Sequence, residues 1–64
     1  MDYKERLVLE FKDLVEKRDR LERMLKSDEP RIMDEETVKL LRDQLEAMQR
    51  YEEILFIRII SMMK

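Results

Sequence analysis

The chain has 64 residues, a size at which a single core supplies only about 3–5 kcal/mol unless disulfides, a metal or self-association add to it. It contains neither cysteine nor histidine, which removes disulfide staples and the commonest zinc and iron ligands and leaves oligomerisation as the expected route to a stable fold. With no glycine, one proline, 47% charged residues and a net charge of −2, it lacks the turn chemistry of a β protein and is not built to coat DNA, RNA or an anionic membrane by bulk electrostatics.

The opening MDYKERLV has no signal-peptide apolar core, and the longest apolar run is about half the ~20 residues needed to span a bilayer. A cytoplasmic protein without a cofactor is expected. Asp2 followed by Glu5 is an N-terminal capping pattern, so a first helix is predicted over about residues 3–26. Leu7, Phe11, Leu14, Leu21 and Leu25 form its apolar stripe, widened by Val8, Val15 and Met24. The stripe is broken at Arg18, where the heptad calls for an apolar residue; such a break usually fixes register or oligomeric state.

Carboxylate-to-cation pairs at four-residue steps lace the other face: Asp13 with Lys17, Glu16 with Arg20, Asp19 with Arg23 and Glu22 with Lys26. The basic run from Lys17 to Lys26 is thereby neutralised and reads as a solvated surface. Pro30 ends the helix and makes residues 27–33 a connector. Asp34, with Glu35 and Glu36 behind it and Lys39 paired to Glu35, starts a second helix predicted over about 34–63.

That second helix carries three columns. Val38, Leu41, Leu45, Met48, Leu55, Ile59 and Met62 form a seam at three- and four-residue steps. Gln44, Tyr51 and Arg58 make a polar column at seven-residue steps, and Leu40, Ala47 and Ile54 make a further apolar one. One partner helix cannot cover all three. The expected architecture is therefore all-α: one domain over residues 1–64, an antiparallel two-helix hairpin roughly 35–40 Å long that assembles into a homo-oligomeric helical bundle. Leu41, Met48, Ile54, Leu55, Ile59 and Met62 are expected at the oligomer interface.

Folding the chain about Arg31 sets Arg18 opposite Gln44, Glu10 and Phe11 opposite Tyr51 and Glu52, and Tyr3 and Lys4 opposite Arg58 and Ile59. The polar layer of Arg18, Gln44, Tyr51, Glu52 and Arg58 has two readings. It can be a set of ion pairs fixing the register of an oligomer, or a pocket in which tyrosine stacks on a base and arginine and glutamine hold phosphate or base edges. Catalysis is not expected, because histidine, cysteine and a glycine-rich phosphate loop are all missing. A helix-turn-helix reading fails because helix two is acidic at its start and apolar at its end.

The run LLRDQLEAMQRYEEILFIRI, with Leu41, Gln44, Met48, Tyr51, Leu55 and Arg58 in register, and the run YKERLVLEFKDLVEKRDRLERML, with Arg6, Glu10, Leu14 and Leu21, resemble the two helices of the short phage-encoded anti-CBASS cyclic-nucleotide sponges. The resemblance implies a hairpin that assembles into a closed homo-oligomer, often a hexamer. It implies capture of the host's cyclic di- or tri-nucleotide signals between subunits, without chemistry on the ligand. Tyr3 would stack on a base and Lys17 or Arg18 would meet the phosphates, within a ligand set of Tyr3, Arg6, Lys17, Arg18, Gln44, Tyr51 and Arg58. The alternative is an oligomeric coiled-coil-like module that docks a protein partner through the apolar second helix, for which Met48, Met62 and Met63, with Met33 just before it, offer an adaptable surface.

Overall fold

Both long helices begin where an aspartate closes the first turn. In the computed structural model, which describes residues 2–63, the chain runs through α1 (Tyr3–Lys26), a short 3₁₀ helix (Glu29–Ile32) and α2 (Glu35–Met62). Asp2, in extended backbone, accepts from the Lys4 amide at 3.3 Å, and Asp34, likewise extended, accepts from the Thr37 amide at 2.7 Å. Each side chain satisfies an amide that has no intrahelical acceptor. Glu5 in one first turn and Glu35 and Glu36 in the other place negative charge at the positive end of the helix dipole.

The break between the helices falls at Ser27. Its amide and its hydroxyl both donate to the Met24 carbonyl, at 3.1 and 2.6 Å, and the same hydroxyl accepts from the Glu29 amide at 3.2 Å. One serine thus terminates α1 and starts the next turn. Pro30 sits inside the first turn of the 3₁₀ helix, where its missing N–H has no acceptor to lose. The connector turns without glycine.

The helices pack along the stripes that periodicity picks out. Leu7 and Leu55 are 3% and 0% exposed, and Phe11, Leu14, Leu21 and Leu25 of α1 are half-buried against Val38, Leu41, Leu45, Met48, Ile59 and Met62 of α2. Leu55, expected at the oligomer interface, is consumed inside the hairpin, and Leu41, Met48, Ile59 and Met62 lie largely within the same seam; of that set, Ile54 is the exposed one. The reason is geometric: an antiparallel neighbour covers one stripe of each helix, and these residues occupy it.

The result is a rod of 46 × 17 × 15 Å with a radius of gyration of 14.6 Å, against about 11 Å for a globule of this length. Among the described residues no helix is long and apolar enough to cross a membrane. Because Leu55 is wholly enclosed, Leu55→Ala removes packing that nothing can refill. It is expected to lower stability by about 2–5 kcal/mol, whereas Ile57→Ala, at an exposed position, stays within about 0.5 kcal/mol of the parent. Urea melts followed by circular dichroism read both; equal midpoints for the two variants would contradict the packing.

Candidate ligand-binding edge

At mid-height the apolar seam gives way to an ionic knot. Arg18 donates from Nε to Glu52 at 2.6 Å and from Nη1 to Glu22 at 2.7 Å, and Glu22 accepts in addition from Lys26 at 3.1 Å. The Arg18 and Glu52 side chains are 20% and 23% exposed, so each is largely removed from water but charge-matched. The Glu52 hydrogen bond is the main reason that Arg18 is held more firmly protonated. The Lys26 hydrogen bond, seconded by that from Arg18, keeps the Glu22 carboxyl below the ordinary carboxylate range.

Arg18 does not face Gln44 as expected. Helical side chains lean toward their own N-terminus, so in an antiparallel pair Arg18 leans toward the open end and Glu52 toward the connector. They meet where backbone levels alone would not pair them, while Gln44 lies exposed on α2 two turns nearer the connector than Glu52. Lys17 is also elsewhere, on the surface and 3.0 Å from Asp13. Asp19–Arg23 and Glu22–Lys26 close as their spacing predicts. Among the described residues the expected Glu16–Arg20 and Glu35–Lys39 pairs do not close, in keeping with the small worth of exposed pairs.

Four of the sequence-predicted residues do converge, on one edge at the open end. Arg58 donates from Nη2 to the Tyr3 hydroxyl at 2.7 Å, and the Tyr51 hydroxyl donates to Glu10. Tyr3, Arg6, Leu7, Glu10 and Arg58 line a cleft of about 190 Å³. Tyr3 and Tyr51 remain 59% and 41% exposed, and Arg6 and Arg58 are exposed as well. Two phenol rings and two guanidinium groups are thus presented together, steered by one carboxylate. A larger hollow of about 660 Å³ on α2 sets the carboxylates of Asp43, Glu46 and Glu53 against the single guanidinium of Arg50 and is a poor place for an anion.

The sequence reading missed the pairing of Phe11 with Phe56, whose ring centroids lie 6.1 Å apart at a 35° tilt. The signal was present: Gln49, Glu53, Phe56 and Ile60 follow at four-, three- and four-residue steps as a fourth column beside the seam.

These features define a two-helix protein that gathers tyrosines and arginines on one exposed edge. The chain belongs to the Sequestin family, whose model matches residues 1–61. The family name is compatible with sequestering a ligand. Comparison with curated proteins and with solved structures returned no match.

Two outcomes follow from the geometry. Arg18→Ala strands Glu52 in a partly covered position, while Glu22 keeps Lys26, and is expected to cost about 1–3 kcal/mol, read as a lower melting temperature. Tyr51 is held protonated above the ordinary phenol range, chiefly by the hydrogen bond to Glu10. The unfolded chain therefore ionises first: the bond's contribution is complete below about pH 10 and is lost as pH rises through the folded-state value. Between about pH 9 and about pH 11, Tyr51→Phe is expected to lose less melting temperature than the parent; identical alkaline slopes would show that the bond does not contribute.

Proposed function

We propose that the protein is a sponge: a phage anti-defence protein that binds host cyclic di- or tri-nucleotide immune signals and withholds them from their effector without degrading them. The observation that carries this reading is the exposed edge on which Tyr3, Tyr51, Arg6 and Arg58 are held side by side. Phenol rings supply stacking surfaces for bases, and guanidinium groups supply bidentate contacts to phosphate. The family name and the resemblance to cyclic-nucleotide sponges support the same reading.

The cleft of one hairpin, about 190 Å³, is smaller than the roughly 300–1,000 Å³ of sites that enclose drug-sized ligands. The ligand is therefore shared with the edge of a second hairpin in a closed homo-oligomer, a hexamer by the resemblance. Arg18, already engaged by Glu52 and Glu22, sets register, and the arginines that meet phosphate are Arg6 and Arg58. Binding alone is the activity, and the nucleotide is released intact.

Isothermal titration of the purified protein with cyclic di- and tri-nucleotides tests this directly, with chromatography of the ligand recovered after heating. Arg58→Ala is expected to weaken binding by roughly 10–100-fold, the worth of a charge-assisted hydrogen bond of about 1.5–3 kcal/mol, and affinity should fall with added salt. A folded protein that takes up none of these nucleotides, or one that returns them cleaved, would refute the proposal.

A further inference from the structure

One member of the tyrosine–arginine edge has the wrong charge for holding phosphate. Glu10 lines the cleft with Tyr3, Arg6 and Arg58, and it is the one carboxylate among those walls. Arg6 stands one turn before it on α1, at the four-residue step where ion pairs close. Yet among the described residues Glu10 takes part in no ion pair. Its charge is therefore not cancelled within the hairpin, and at an edge that receives an anion it works against binding. Orienting Tyr51 does not call for that charge, because an amide oxygen would accept from the phenol hydroxyl as well.

The position of the carboxylate gives it another use. Tyr51 donates to Oε1 of Glu10, and Glu10 is exposed, so its second oxygen is open to a ligand. The phenol oxygen that closes on Glu10 is at the rim of the Tyr51 ring, and a base lying on that ring brings its own edge to the carboxylate. Arg58 is seven residues farther along α2, about 10 Å toward the open end, within reach of the phosphate of the same nucleotide. Base-edge chemistry then decides which base fits, since a carboxylate only accepts. Guanine presents two adjacent donors on its Watson–Crick edge, N1–H and the N2 amino group, in the paired-donor pattern with which a guanidinium meets a carboxylate. Adenine sets a bare ring nitrogen beside its amino group, cytosine does the same, and uracil flanks its one N–H with two carbonyl oxygens. Each of those turns lone pairs toward Glu10.

We infer that Glu10 is the base-reading group of this edge, accepting from the N1–H and N2 amino groups of a guanine stacked on Tyr51, so that guanine-bearing cyclic nucleotides are the preferred cargo. The inference rests on the sponge reading above and adds the base to it. Two edges that share one ligand read one base each, and affinity therefore rises with the number of guanines. Titration calorimetry of the full chain with cyclic di-guanylate, cyclic guanylate–adenylate and cyclic di-adenylate tests this. Affinity is expected to fall in that order, at least about tenfold for each guanine replaced, as loss of a charge-assisted hydrogen bond does. Glu10→Gln keeps an acceptor for Tyr51 but turns a donor toward guanine. With its helicity confirmed by circular dichroism, it is expected to erase the order and to bind cyclic di-adenylate at least as tightly as the parent does. A Glu10→Gln variant that weakens all three ligands equally, as a residue that only orients Tyr51 would, overturns the inference. Equal binding of the three by the parent also overturns it and leaves the sponge reading standing, whereas binding of none overturns both.

Discussion

Two helices lying side by side can hide only one stripe of each, and that limit shapes everything else in this molecule. Among the described residues, Leu7 and Leu55 alone reach the near-complete burial typical of a core, and the other apolar side chains keep more contact with water. The hydrophobic term is correspondingly small, since it scales with the area removed from solvent. Interactions that a larger domain would treat as minor, such as the aspartate caps and the serine at the end of α1, therefore carry a larger share of the fold.

Within that thin seam, the Arg18–Glu52–Glu22 knot has a role that an apolar layer would not fill as well. Leucines slide past one another by a turn at little penalty, whereas a guanidinium held by two carboxylates has one depth at which all three charges are matched. Fixing that depth also fixes which residues meet near the open end. Tyr3 reaches Arg58 and Glu10 reaches Tyr51 only at this register. The ionic knot and the tyrosine–arginine edge are thus two parts of one alignment, the first setting it and the second depending on it.

Much of this was legible in the residues alone. Helix periodicity marked the seam, the aspartates at positions 2 and 34 marked the helix starts, and the arginine in the stripe marked a polar layer. Level-matching of the two helices also brought Tyr3 to Arg58 and Glu10 to Tyr51. It failed for Arg18, because pairing by backbone height ignores the opposite lean of long side chains on antiparallel helices. It also could not say that Leu55 would be exhausted by the hairpin while Phe56, its neighbour in sequence, would stay half open, since both are large and apolar and only the angle of approach separates them. Lys17 and Gln44 are polar residues at plausible spacings whose positions depend on that same angle.

The described backbone contains no residue with positive φ, and the connector turns on a serine hydroxyl and a proline that any L-amino-acid backbone can follow. No position is therefore reserved for glycine, and none is held by a sulfur bridge. What the fold requires is a rhythm of apolar side chains, a carboxylate at each helix start and one matched set of charges in the middle. Such a chain can exchange most of its letters while keeping its shape, so descent within a lineage of these hairpins would be written in spacing rather than in identity.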